Sequence, residues 1–128
     1  MSLSRDEALL ALRPQVDSEA TDMTAAEQFQ NKTLRPLLKL QNDLVLTVFR
    51  DYVTKRKNTF AQMATDDQLI YIDHTVRQDQ KFKNLLVGLV LGHFTADEWL
   101  AFRNDEAELT RRLVTLLIQR VQHQLTDH

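Results

Sequence analysis

Apolar residues recur along this chain at steps of three and four, and polar residues fill the intervals with the same period. One apolar stripe runs through Phe29, Leu34, Leu37, Leu38, Leu44, Val45, Val48, Phe49, Tyr52 and Val53. Lys39, Asp43, Thr47, Arg50, Thr54 and Lys57 mark its wet side, which is the pattern of an amphipathic helix. Leu69, Ile70, Ile72 and Val76 begin a second stripe, and Leu109, Leu113, Leu116, Leu117, Val121 and Leu125 form a third. Between them, Phe82 to Leu91 is apolar almost all round, which predicts a central buried helix at about 80–91. Its only small or polar strip is Asn84, Gly88 and Gly92, a spacing that predicts close approach by another helix.

The helix starts are legible too. Ser4 with Glu7, Thr24 with Glu27, Thr65 with Gln68 and Thr95 with Glu98 each have the spacing of a capping box. Phe94 and Trp99 occupy the staple positions around Thr95, and Gly92 is placed to end the preceding helix in the left-handed conformation. Asp79 reads as an N-cap that divides 66–91 near Gln78, with one continuous helix as the alternative. Asn104 or Asp105 caps a last helix, or else 96–125 runs unbroken. Pro36 lacks the N–H that would bond the carbonyl of Lys32, so the long first stripe is expected to kink at about residue 35. Pro14 ends a short helix begun at Ser4, and Asn58 is a stop after the cationic run Lys55-Arg56-Lys57. The expected fold is all-α: a single-domain bundle of four to six helices over 24–128, preceded by an N-terminal arm over 1–23 that carries one short helix.

Composition narrows the class. Two glycines and two prolines in 128 residues leave too few turns for a β-rich chain. A net charge of -2, with no charged tail, gives nucleic acid or an anionic membrane no global attraction. Without cysteine there is no disulfide and no thiolate chemistry, which agrees with a reducing compartment. No basic segment leads an apolar core at the start, and the run Leu85 to Leu91 is much shorter than the roughly 20 residues of a membrane span. A cytoplasmic protein is expected.

Catalytic patterns are missing. No two of His74, His93, His123 and His128 have the i,i+4 spacing of a zinc helix, and Ser2, Ser4 and Ser18 stand in no nucleophile elbow. Asp66-Asp67, Asp97-Glu98 and Asp105-Glu106 all fall in first helical turns, where they complement the helix dipole. The helices flanking Gln78 would offer a DNA groove mainly Leu, Val and Gly. No catalytic residue, metal or cofactor is therefore expected. Two places invite a ligand: the polar residues Gln30 to Arg35 beside Pro36, including Lys32 and Arg35, which read as a small anion or peptide site, and His93, which no cap or staple uses.

Two stretches, Phe29-Gln30-Asn31-Lys32-Thr33-Leu34-Arg35-Pro36-Leu37-Leu38-Lys39 and Lys81-Phe82-Lys83-Asn84-Leu85 leading to Gly92-His93-Phe94-Thr95, resemble a family of small bacterial helical proteins similar to ones in Bacteroidetes. The resemblance covers most of the chain from Glu27 onward. It implies an all-helical fold and no agreed activity. The glyoxalase-like label sometimes given to such proteins implies βαβββ units with metal ligands on strands, and this helical pattern has neither.

The favoured function is interaction: a small bundle whose broad apolar faces exceed one core and which self-associates as a homodimer. A ligand-binding protein or enzyme would instead bring His93, His74 or Tyr71 to Arg35 in one pocket. A weak nucleic-acid binder would use the Lys32, Arg35, Lys39 stripe.

Overall fold

The structure, a computed structural model, describes residues 2–15, 23–57 and 59–126. Those residues form α-helices α1 (Arg5–Leu12), α2 (Ala25–Phe29), α3 (Arg35–Leu40), α4 (Asn42–Thr54), α5 (Thr65–Gln78), α6 (Gln80–Leu91), α7 (Ala96–Arg103) and α8 (Glu106–Leu125). A π turn, Gln30–Leu34, joins α2 to α3, and a 3-10 turn, Phe60–Gln62, precedes α5. There is no strand among the described residues, and the architecture is all-α. The expected connector over 15–23 falls largely on 16–22, and the expected stop at Asn58 on 58, both outside the described residues.

Local chemistry explains most boundaries. The Ser4–Glu7, Thr24–Glu27 and Thr95–Glu98 boxes each close reciprocally, which satisfies N–H groups that a helix start leaves free. Asp79 accepts from the backbone N–H of Phe82 and breaks 66–91 into α5 and α6. Asn104 and Asp105 separate α7 from α8. Asp51 and Lys55 pair at 3.1 Å on the wet side of α4.

The core is organised by α8. It buries Leu109, Leu113, Val114, Leu116, Leu117, Ile118 and Val121, and packs against α2, the π turn, α4, α5, α6 and α7. Two aromatic clusters stand at either end of α6. Phe49 gathers Tyr52, Phe60, Tyr71 and Phe82 near its start, and Phe102 gathers Phe29, Phe94 and Trp99 beyond its end.

Four local expectations need correction. The central buried helix is α8 rather than 80–91: α6 buries only Phe82, Leu86 and Val90, and Leu85 is half exposed. Seven apolar residues in ten look buried on a wheel, but α6 lies at the surface: its four-residue period Phe82, Leu86, Val90 is buried, and Val87, Leu89 and Leu91 are only partly buried against the core. Gly88 is not a close-approach site, because a Cβ placed there would meet nothing within 4 Å. Gly92 is not left-handed: it ends α6 at φ -62 and ψ -14, donating to the carbonyls of Gly88 and Val90. Thr65 does not cap α5; Ala64 holds that position without a side-chain bond, and Gln68 donates to the carbonyl of Phe60 instead.

Candidate functional site

Three surfaces carry chemistry, and the first is the corner between α6 and α7. Here the N-terminal arm lies on its own body, held by polar bonds rather than by a core, since α1 has no buried residue. Arg5 donates to the carbonyls of Gly92 and Phe94 at 3.0 and 2.9 Å, and Asp6 accepts from the N–H of Ala96. The arm therefore satisfies carbonyls of the turn between α6 and α7 and an N–H that the start of α7 leaves free. Arg13 then forms a fork on both carboxylate oxygens of Glu98 and donates to the carbonyl of His93. Its side chain is 9% exposed and that of Glu98 16%. Burial would raise the Glu98 carboxyl, but bonds from Arg13 and from Thr95 outweigh it and leave the pKa below its ordinary value. Glu98 thus serves both the capping box and the arm. His93 sits under this latch, with Nδ1 buried and unpartnered among the described residues, as is Nε of Arg13.

The second surface is a groove of about 340 Å³ between α4 and α6. The two helices run antiparallel: Tyr52 Oη donates to Asp79 at 2.7 Å at one end, and Gln41 donates to the carbonyl of Leu89 at the other. Val48, Tyr52, Phe82 and Leu85 line the groove, and Leu44, one turn before Val48 on α4, is exposed. Asp51, Lys55, Arg56, Asp79 and Lys81 form its charged end. Arg56 lies over the Tyr52 ring at 3.5 Å. Burial, with the Asp79 bond and charge, pushes the Tyr52 phenol up to about 12, while the bonds from Tyr52 and the Phe82 N–H hold the Asp79 carboxyl low. Neither group is poised for proton transfer near neutrality.

The third is a cleft of about 250 Å³ between α3 and the end of α8, lined by Arg35, Leu38, Leu116, Gln119, Arg120, His123 and Gln124. Arg120 donates to Asn42 Oδ1 at 2.9 Å, and Gln124 shares that oxygen at 2.7 Å. Arg35 donates through Nε to Asn31 at 2.9 Å. A wider opening of about 490 Å³ among Phe49, Val53, Phe60, Gln68 and Leu125 contains one charged residue, Arg50.

The expected ligand residues are thus divided. Arg35 and Thr33, two positions apart, point to different sides of the helix. Thr33 faces Glu98 at 3.5 Å in the His93 corner, whereas Arg35 lines the α3–α8 cleft. Lys32 is exposed on the π turn between them, His74 is exposed on α5, and Tyr71 packs against Phe49 and Phe60. The pattern did not reveal Arg13, Arg120 or Asn42, whose partners lie 78 to 85 positions away in sequence. Arg120 had one signal: it directly precedes Val121 at the margin of the α8 apolar stripe.

No cluster of His, Asp or Glu that could hold a metal ion occurs among the described residues, and no helix there is long and apolar enough to cross a membrane. Compared with known protein families, curated proteins and solved structures, the chain has no match.

Proposed function

We propose that this chain is a non-catalytic helical interaction module that self-associates as a homodimer through the α4–α6 groove. The observation that carries the reading is the pair of leucines, Leu44 and Leu85, left 45% and 50% exposed on adjoining antiparallel helices, with Leu85 on a groove floored by Val48 and Phe82 and Leu44 one turn before Val48 on α4. An apolar helix face at the surface is unpartnered until something covers it. A second copy suits this one, because the rim has both signs of charge and a two-fold axis sets acids of one copy near bases of the other. Helices of 13 and 12 residues present a face of roughly 20 Å by 20 Å. That footprint, about 400 Å² a side, is below the range of stable interfaces and falls with weak, transient ones, so the expected affinity is on the order of micromolar or weaker. Asp51 is paired with Lys55, and Asp79 with Tyr52 and Arg56, which supports a contact surface rather than an acid–base site.

Sedimentation velocity from about 1 to 100 µM is the test. A concentration-dependent shift from monomer to dimer, lost in Leu85→Lys with the helical circular dichroism intact, is the expected result. A wild-type chain that stays monomeric across that range overturns the proposal, as does a Leu85→Lys variant that dimerises equally well.

A further inference from the structure

We propose that the α3–α8 cleft binds a small oxyanion of the phosphate class, held between the guanidinium groups of Arg35 and Arg120. Arg5, Arg13, Arg56, Arg77, Arg111 and Arg112 each stand beside a carboxylate. Arg35 and Arg120 have only neutral amides, Asn31 and Asn42, and no carboxylate within ion-pair distance among the described residues. Each amide fixes the orientation of its guanidinium through one N–H and leaves the charge uncompensated. The remaining N–H groups stay available as donors. Arg50 and Arg103 are exposed and, among the described residues, also have no carboxylate partner; what sets Arg35 and Arg120 apart is that they line one cleft.

The two charges also oppose one another. Burial pushes the Arg120 guanidinium below its ordinary pKa, and the charge of Arg35 adds to the effect. Two like charges beside one small cleft are unfavourable until an anion lies between them. A planar guanidinium fork matches phosphate oxygens in both geometry and charge. Gln119, His123 and Gln124 add polar groups around the same opening, and Leu38 and Leu116 supply an apolar floor that lowers screening. At about 250 Å³ the cleft is below the usual range for drug-sized ligands, so it suits phosphate or a short phosphomonoester rather than a nucleotide. The site shares no residue with the α4–α6 groove and does not depend on self-association.

Inorganic phosphate, titrated into the full chain against chloride at matched ionic strength, is the probe. Side-chain Nε–H resonances of Arg35 and Arg120 are expected to move with one saturable curve, and the melting temperature to rise with phosphate alone. Arg35 is exposed, so Arg35→Gln retains the fold and removes one of the opposed charges. This variant should melt no lower than wild type without phosphate, lose the phosphate-dependent rise, and bind at least tenfold more weakly. Arg103→Gln, an exposed change on α7, should leave the response intact. An equal response to chloride overturns the site, as does full phosphate binding by Arg35→Gln. An equal loss of binding in Arg103→Gln also overturns it, since that is the mark of general screening.

Discussion

Lys57 closes the end of α4 at φ 63, the single described non-glycine residue with positive φ. The left-handed conformation crowds its Cβ against the next carbonyl, which costs an L-residue about 1–2 kcal/mol. Glycine removes that cost but adds freedom to the unfolded chain, so Lys57→Gly is expected to stabilise by about 0.5–1 kcal/mol in urea denaturation. Gly88 gives the opposite lesson about glycine. It lies inside α6 in open space, and a helix interior favours alanine by roughly 1 kcal/mol. Gly88→Ala should therefore raise the denaturation midpoint measured at sub-micromolar concentration, and a fall would mean that some group presses on that position. From the sequence, Gly88 and Gly92 suggested a packing strip and a left-handed stop. Neither role is used, because spacing along a helix places residues on one side without saying whether that side faces protein or water. Lys57, by contrast, gave no signal, since its conformation follows from the path of the chain after α4.

Among the elements, α1 differs from the rest in what holds it. Leu3, Leu10 and Leu12 are exposed, so the arm gains little from burial and depends on Arg5, Asp6 and Arg13. Breaking a buried ion pair inside a fixed core costs about 3–5 kcal/mol, because one charge stays buried alone. An arm can undock and return that charge to water, so the loss is capped by the docking free energy of the arm. Arg13→Ala should accordingly free the amides of 5–13 to exchange quickly while α8 remains protected. The same latch responds to pH. The folded pKa of Glu98 is depressed below its ordinary 4.5, so its contribution is complete above that value and disappears as pH falls through the folded one. The protection factors of the α1 amides, corrected for intrinsic exchange, should fall over that acidic interval in wild type and show no such step in Glu98→Gln. The capping boxes that define α1, α2 and α7 were readable because each needs only residues three apart. Glu98 was readable as half of a box, but its role as the anchor of Arg13 depends on a contact 85 positions away.

Across the whole molecule, the contrast between α6 and α8 decides where stability resides. Both have long apolar patterns, and hydrophobicity alone favoured α6 as the centre. What the pattern lacks is the order of helices in space: α8 packs against α2, the π turn, α4, α5, α6 and α7. Its apolar residues are spread over 20 positions, which lets it touch neighbours along its whole length, whereas α6 has one side toward solvent. The candidate surfaces were hidden for the same reason, since Val48 and Leu85 line one groove, and Arg35 and Arg120 one cleft, only after this packing. Leu117 is fully buried at the middle of α8, and truncating such a leucine costs about 2–5 kcal/mol through lost transfer energy and the cavity left behind. Set against the 5–15 kcal/mol typical of a domain, that is a large fraction of the total. Because α8 contacts elements from the π turn to α7, the loss should reach every probe together. Trp99 stacks on Phe102 at the far corner and reports there by fluorescence, while circular dichroism reports all the helices. Leu117→Ala should shift both urea transitions by the same amount and keep them coincident, with Leu85→Ala nearly silent in the monomer. If Trp99 fluorescence changes before the helices melt, the α6–α7 corner with its docked arm is a separate cooperative unit, and α8 does not unite the fold.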